Sequence, residues 1–177
     1  VHGKQGSWQV IKRMLEGKPV IVPGDGLTLW TLTHNSDFAR AFIGLMGNVH
    51  AVGETYQVMS EEVLTWNQIH QTIADALGVS FRPCYVPSTL LAMAPAYDFK
   101  GALLGDKANS VVFDTSKLRK AVPGYHASMR FDQGVRNTLA YVMHHQECQS
   151  VDVEFDQWCD RVVEIMQEAE RKIARME

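Results

Sequence analysis

The fold is decided by one stretch near the beginning of the chain, residues 24–48, which read GDGLTLWTLTHNSDFARAFIGLMGN. The G-D-G segment at residues 24–26 is typical of a tight turn, because glycine adopts the left-handed backbone conformation without a steric penalty. It follows the apolar run 19–22, which favours a strand, and it precedes a second short extended segment, residues 29–32. Apolar residues then recur at helical spacing, and we expect Asp37 to cap that helix. The stretch therefore predicts a strand, a turn, a second short extended segment and a helix in succession.

Helix and strand patterns alternate along the rest of the chain. Thr65 and Gln68 have the spacing of a capping box, and Gly78 is a typical residue for ending the helix that follows. Residues 96–109 have no regular pattern. The fold class is therefore mixed α and β (α/β or α+β), rich in helix with a few short strands. Helices are predicted at residues 8–16, 66–77, 117–121, 134–145 and 153–176, a short one after Ser88, and strands at residues 54–59, 81–86 and 110–113.

Composition narrows the function classes. The chain has 177 residues, 46% of them hydrophobic and 21% charged, which is enough to bury a core. The net charge of −3 and the lack of a basic run argue against nucleic-acid binding, and no apolar run is long enough to span a membrane. The three cysteines match no zinc-binding spacing, which favours free thiols in a reducing compartment and a cytoplasmic location.

Local catalytic signatures are absent from the sequence. It contains no P-loop, no H-E-x-x-H, no G-x-S-x-G and no G-x-G-x-x-G. His34 with Asp37 has the spacing of a base and its orienting carboxylate, but we favour the simpler interpretation of a packed histidine beside a capping aspartate. His144, His145 and Cys148 suggest a metal site, yet neighbouring histidines on a helix point about 100° apart. We therefore expect no metal ligands.

The order of several short segments is more informative than any one of them. Together they resemble the C-terminal half of the extended short-chain dehydrogenases/reductases, the NAD-dependent epimerase/dehydratase family of nucleotide-sugar enzymes. The resemblance runs from about Trp8 to Val142. The matching segments are the G-D-G turn, THNSDFARAF at residues 33–42, GETYQV at 53–58, LTWNQI at 64–69, GDK at 105–107, FDTSK at 113–117, PGY at 123–125 and FDQGV at 131–135.

The resemblance implies a Rossmann-type parent enzyme that uses NAD or NADP for redox isomerisation, dehydration or reduction. The family carries its glycine-rich dinucleotide fingerprint and its catalytic Y-x-x-x-K before the G-D-G turn. This chain has no such fingerprint, and none of its five tyrosines precedes a lysine by four residues. Hydride transfer requires a nicotinamide held against the substrate. We therefore expect the chain to be a substrate-side fragment that binds no cofactor and is inactive alone.

By position in the resemblance, the substrate-facing residues are Trp30, Thr31, His34 and Lys107. Many nucleotide-sugar members carry arginines that hold the diphosphate at two places, which are Trp30 and Leu103 in this chain. Neither side chain can make the bidentate phosphate contacts of arginine.

Two regions follow from the resemblance. Residues 1–150 are expected to form the substrate-binding region, which takes a small molecule such as a nucleotide-sugar, and residues 151–177 an amphipathic C-terminal helix. In the family, the helix after Asp37 and the strand after it lie against the cofactor domain. Without that N-terminal Rossmann domain an apolar face remains exposed to water, so we expect the chain to self-associate.

The alternative to an enzyme portion is a non-catalytic binding or interaction module derived from the same family. A further possibility is a stand-alone protein whose C-terminal helix docks a partner through Phe155 and Trp158.

Overall fold

The computed structural model describes residues 1–4 and 6–176. Within them the chain is mixed α and β, rich in helix with a few short strands, which confirms the predicted fold class. A π-helix occupies Lys100–Lys107, and 3-10 turns occupy Val49–Ala51 and Gln146–Cys148. The α-helices are α1 Trp8–Leu15, α2 Asn35–Leu45, α3 Trp66–Leu77, α4 Ser88–Leu91, α5 Ser116–Ala121, α6 Phe131–His144 and α7 Val153–Ile173. The strands are β1 Val20–Pro23, β2 Leu29–Thr31, β3 Val63–Thr65 and β4 Pro83–Val86.

The strands form two separate two-stranded sheets. β1 pairs in parallel with β4, and β2 pairs antiparallel with β3. The G-D-G turn lies between β1 and β2, and both of its glycines have positive φ, 64° at Gly24 and 72° at Gly26. The turn is fixed to the start of α3, because the Asn67 amide donates to the Gly26 carbonyl at 3.0 Å. The second sheet is thereby held at the N-terminal end of α3.

The main core lies between the parallel sheet and the last helix. Phe155 on α7 is 1% exposed and packs in one cluster with Ile21 of β1 and Val86 of β4. A second cluster joins α1, β1 and α3 through Met14, Val20 and Ala74. α7 therefore covers apolar surface that would otherwise face water. The remaining buried members of the main cluster are Leu91, Phe99, Leu103, Cys159 and Val163.

A buried arginine joins α1 to α7. The Arg13 side chain is 3% exposed, and its Nη1 donates to Asp156 at 2.6 Å and to Asp160 at 2.8 Å. Its Nε donates to the Pro19 carbonyl at 2.9 Å, and Lys18 adds a second cation to Asp156 at 2.7 Å. Because a buried charge is costly unless it is paired, this network favours one position of α7 on the chain.

Several helix predictions are confirmed closely. The capping box of Thr65 and Gln68 is present, and α3 ends at Gly78 with φ 71°. The prediction for Asp37 was wrong, since α2 begins at Asn35 and its N-cap is His34, whose ring accepts from the Ser36 amide. Histidine nitrogen replaces the usual capping oxygen here, and Asp37 is left for another role.

Strand predictions were less accurate. Residues 54–59 and 110–113 are not strands, although both have β-forming residues. Within the described part of the chain no neighbouring strand pairs with either segment, and a strand requires such a partner. The irregular stretch 96–109 contains the π-helix, and α6 begins at Phe131, three residues before the predicted start at Gly134.

Candidate functional site

A cavity of about 490 Å³ lies beside α1, α3 and α6. Its volume is in the range of small-molecule sites, and most of its lining is apolar. Helix α3 contributes Trp66 and His70, while the loop before α2 contributes Thr33 and His34. The other lining residues are Val1, His2, Ser7, Val10, Ile11, Pro23, Leu32, Ile69, Ile73, Leu103, Lys107, Met129, Arg130, Phe131, Gly134, Val135, Thr138 and Leu139.

His34 is held by its capping role and by close contact with α6. Its Nδ1 accepts from the Ser36 backbone amide at 3.3 Å and lies 2.7 Å from the Ser36 hydroxyl. A Cβ added at Gly134 would lie 2.8 Å from His34 Cδ2, so the glycine leaves the space that the ring occupies. Since Nδ1 accepts, the proton of the neutral ring is on Nε2, and the group that His34 can offer a ligand is an N–H donor.

Lys107 lies at the end of the π-helix, beside two tryptophans. Its Nζ is 5.4 Å from the centroid of the Trp30 ring and 2.8 Å from a carboxylate oxygen of Asp106. The Trp30 and Trp66 rings stack with centroids 5.6 Å apart, and Trp66 Nε1 donates to the Lys107 carbonyl at 3.3 Å. π-Helices are often found at functional sites. Here the π-helix places a cation and a tryptophan pair at one end of the cavity.

The structure brings together only part of the set expected from the sequence. His34 and Lys107 line the cavity. Trp30 does not line it, but the Trp30 ring contacts Trp66 and Lys107, which do. Thr31 is 5% exposed within β2 and does not line the cavity, and its hydroxyl has no hydrogen-bond partner among the residues that the structure describes. A substrate in this cavity would therefore contact His34 and Lys107 directly.

His70 is a lining residue that sequence reasoning missed. It is 6% exposed, its Nδ1 donates to the Trp66 carbonyl at 2.7 Å, and its ring stacks on Phe81 with centroids 5.6 Å apart. Desolvation by burial lowers its pKa to about 4, so the ring is neutral at pH 7. With the proton on Nδ1, the free Nε2 is an acceptor. A signal existed in the sequence, because His70 lies between Ile69 and Ile73 on the apolar side of α3.

Leu103 occupies one of the two positions where the resemblance expects an arginine. It is 3% exposed, lines the cavity and belongs to the main core cluster. Trp30, at the other position, is committed to its stack on Trp66. The charged lining residues are Lys107 and Arg130, and both have an acidic neighbour, because Arg130 Nε lies 3.0 Å from Asp132.

Asp37 organises the loop that leads into α6. Its side chain is buried, and one of its oxygens accepts from the backbone amides of both Ser128 and Met129, at 3.1 and 2.9 Å. Burial raises the pKa of this carboxyl, but the bonds from Met129, Arg40 and Ser128 outweigh burial and hold the pKa below its ordinary value. Met129 and the neighbouring Arg130 line the cavity, so Asp37 positions one of its walls.

In the described ranges, 1–4 and 6–176, no group of three or more His, Cys, Asp or Glu side chains is arranged to hold a metal ion. Over the same residues, no helix is long and apolar enough to cross a membrane.

No family model matches the chain. Among curated proteins, it is 27% identical over 122 residues to the 2'-dehydrokanamycin reductase of Streptomyces kanamyceticus, a match that covers 69% of this chain and 34% of the reductase. It is 32% identical over 66 residues to the chloroplast stem-loop binding protein of 41 kDa b of Arabidopsis thaliana, covering 37% of this chain and 18% of that protein. The chain thus spans about a third or less of these relatives.

Solved structures give a wider match. The UDP-glucuronic acid 4-epimerase of Bacillus cereus, in complex with NAD, superposes with a TM-score of 0.59 at 19% identity, over 77% of this chain and 38% of the epimerase. The dTDP-glucose 4,6-dehydratase of Bacillus anthracis, also with NAD, gives 0.58 at 20% identity over 78% and 39% of the two chains. The UDP-glucose 4-epimerase of Thermotoga maritima, with UDP-glucose, gives 0.56 at 22% identity over 75% and 37%.

These matches define a class by its fold. The chain has the fold of part of the Rossmann-type short-chain dehydrogenase/reductase enzymes. More particularly, its structural neighbours are NAD-dependent epimerases and dehydratases, as the order of the sequence motifs predicts.

Proposed function

We propose that this chain is the substrate-binding portion of an NAD- or NADP-dependent epimerase, dehydratase or reductase. The observation that carries the proposal is the cavity of about 490 Å³, whose wall includes two residues, His34 and Lys107, that the family resemblance assigns to the substrate side. Within the chain, we assign residues 1–150 to the substrate-binding region and residues 151–177 to a C-terminal region whose helix α7 packs on it. The nucleotide-sugar names of the structural neighbours suggest the starting set of substrates to screen.

Turnover is assigned to a longer polypeptide. The neighbours that contain NAD are more than twice as long as the matched part, and the motifs for the dinucleotide and for Y-x-x-x-K are not in this sequence. In the parent enzyme the nicotinamide supplies or accepts the hydride, while residues of this chain bind and orient the substrate. His34 can donate a hydrogen bond through Nε2, and His70 can accept one. The chain alone is expected to bind no cofactor and to turn over no NAD-linked substrate.

The surface of α2 supports the existence of a nucleotide-binding partner. Phe38 and Phe42 are 49% and 54% exposed and stack on each other, with centroids 6.1 Å apart. Ile43 and Met46 extend this apolar face, and residues 54–59, which follow it, pair with no strand in the described ranges 1–4 and 6–176. Exposed apolar surface of this kind marks an interaction site. We assign the face to contact with the N-terminal Rossmann domain of the parent.

The test is to purify the native protein from its source and determine its intact mass and N-terminal sequence. Calorimetric titration with NAD and NADP then compares the native protein with the 177-residue chain. A native protein of roughly twice this mass, carrying a glycine-rich fingerprint and binding a cofactor that the chain does not bind, supports the proposal. A native mass of 19.9 kDa, or cofactor reduction by the pure chain, contradicts it.

The same exposed face of α2 favours one alternative, a non-catalytic interaction module that self-associates. This alternative expects the native protein to be the 19.9 kDa chain and to form oligomers through α2. The net charge of −3 does not favour a nucleic-acid partner for such a module. Cys84, Cys148 and Cys159 are free thiols, which supports a reducing compartment, and we propose the cytoplasm.

A further inference from the structure

The cavity presents little net charge to a ligand. Its two charged lining residues, Lys107 and Arg130, are ion-paired with Asp106 at 2.8 Å and with Asp132 at 3.0 Å. A diphosphate placed here would have to compete with these carboxylates for its cations. A polycationic ligand would be repelled by the two cations, and the other side chains of the lining are imidazoles, hydroxyls and apolar groups that carry no negative charge. The wall therefore favours a ligand without formal charge.

The apolar part of the wall is extensive and rigidly supported. Leu103 belongs to the main core cluster, and Val135 and Leu139 are 8% and 5% exposed along the inner side of α6. Trp66 is fixed by its stack on Trp30 and by the hydrogen bond from its ring nitrogen to the Lys107 carbonyl. Rigid apolar and aromatic side chains of this kind suit a ring compound, because its burial removes apolar surface from water at little entropic cost.

Two imidazoles give the cavity a complementary donor and acceptor. The Nδ1 of His34 accepts from Ser36, which leaves Nε2–H as a donor. The Nδ1 of His70 donates to the Trp66 carbonyl, which leaves Nε2 as an acceptor. A hydroxyl can pair with either ring, whereas a carbonyl pairs only with His34. The two tautomers are set by local backbone contacts and are therefore in place before a ligand binds.

Resting on the proposed function, we propose that this cavity takes an uncharged, mainly apolar ring compound bearing a hydroxyl or carbonyl group, in place of a nucleotide diphosphate. The substrate pair of the parent enzyme is then an apolar alcohol and its ketone or aldehyde. The apolar body fills the space beside α6, and the hydroxyl or carbonyl oxygen forms its hydrogen bond with an imidazole. The carbon that bears this oxygen is the one oxidised or reduced: the alcohol loses a hydride to the NAD or NADP of the parent enzyme and its hydroxyl proton to solvent, and reduction of the carbonyl takes up both.

The test uses isothermal titration calorimetry of the 177-residue chain with 2-naphthol, naphthalene and UDP-glucose at pH 7. We expect 2-naphthol to bind, naphthalene to bind about fivefold more weakly for lack of the hydroxyl, and UDP-glucose to give no binding heat. Binding of UDP-glucose, or a failure of 2-naphthol to bind, overturns the inference.

Two variants on α6 show whether the probe occupies this cavity. Thr138 is exposed and lines the cavity, so Thr138→Trp should fill its mouth without disturbing the core and weaken 2-naphthol at least about tenfold. Asn137 is exposed on the same helix and does not line the cavity, so Asn137→Trp is the matched control and should leave affinity within about twofold. Equal affinity for the two variants would mean that the probe binds elsewhere, for example on α2, and would overturn the inference.

A third variant tests the hydrogen bond separately from the fold. His70→Phe keeps an aromatic ring against Phe81 and removes the Nε2 acceptor. The preference for 2-naphthol over naphthalene should then shrink, with naphthalene affinity unchanged. An equal loss of both affinities would show a purely structural role and reject the contribution of His70.

Failure of the inference can be distinguished from failure of the proposed function. A native parent that binds NAD and also binds UDP-glucose in this cavity would support the proposed function and contradict only the substrate class.

Discussion

Asp37 provides the most direct test of how the cavity wall is held. One of its oxygens accepts from the amides of Ser128 and Met129, and the other accepts from Arg40 at 2.5 Å and from the Ser128 hydroxyl at 3.2 Å. The carboxylate is 1% exposed. We predict that Asp37→Asn and Asp37→Ala both destabilise the chain, and that alanine does so more.

The size of each effect follows from which contacts survive. Asparagine keeps one carbonyl oxygen for the two backbone amides and turns its NH₂ toward Arg40 and the Ser128 hydroxyl. Arg40 is half exposed and can move into water, so the loss is limited to charge-assisted bonding and is about 2 kcal/mol. Alanine leaves the amides of Ser128 and Met129 without the carboxylate, which raises the cost to about 4 kcal/mol.

Urea unfolding followed by circular dichroism measures both costs. The unfolded carboxyl has a pKa near 3.8, and the folded one lies lower. The advantage of the native protein over Asp37→Asn should therefore be complete above about pH 5 and decline as the pH falls through the folded pKa. Asp75→Asn, on the exposed side of α3, is the matched control and should change stability by less than about 0.5 kcal/mol. Equal stability of Asp37→Asn and the native protein at pH 7 would refute the reasoning.

Three further predictions concern other parts of the molecule. Phe155→Ala should lower the free energy of unfolding by about 4 kcal/mol, because it opens a void under α7. The control Ile165→Ala, at a residue 62% exposed on the same helix, should lower it by less than about 1 kcal/mol. Thermal unfolding compares the two variants, and equal losses of stability would contradict the packing described. Phe42→Glu should reduce self-association by placing a charge on the apolar face of α2, which sedimentation velocity checks; a native chain that is monomeric at high concentration would contradict the premise. The free energy of unfolding of the native chain should fall by about 3 kcal/mol between pH 6.5 and 4, because in this range His70 takes up a proton in the unfolded state but not in the folded state. Urea titrations of His70→Phe should lack this part of the pH dependence.

Local signals in the sequence predicted the helices well because their causes are local. The Thr65 to Gln68 capping box and the left-handed Gly78 involve residues a few positions apart, so the pattern alone defines both ends of α3. The assignment of the α2 cap was wrong because a histidine cap has no strong statistical signal in a sequence. Asp37 has the conventional signal of a capping residue, but its side chain instead accepts long-range hydrogen bonds from Ser128 and Met129.

Strands and the site depend on contacts between distant residues. Residues 54–59 have strand propensity, but propensity produces a strand only when another strand is available, and in this chain that segment follows the exposed face of α2. The three-residue β3 was missed because it is too short to show alternation. Within the candidate site, the resemblance predicted His34 and Lys107 by position. It could not find His70, whose place in the wall depends on how α3 packs beside α6.

The C-terminal helix is connected to the cavity through a shared core residue. Leu103 lines the cavity on one side and packs in the same cluster as Phe155 and Cys159 of α7 on the other. Because protein cores are close-packed, a void under α7 would let Leu103 move and would loosen the π-helix that carries Lys107. The buried Arg13, paired with Asp156 of α7, restricts such movement. Phe155 is therefore more important for holding the cavity wall than as an anchor for an external partner, for which its 1% exposure leaves no available surface.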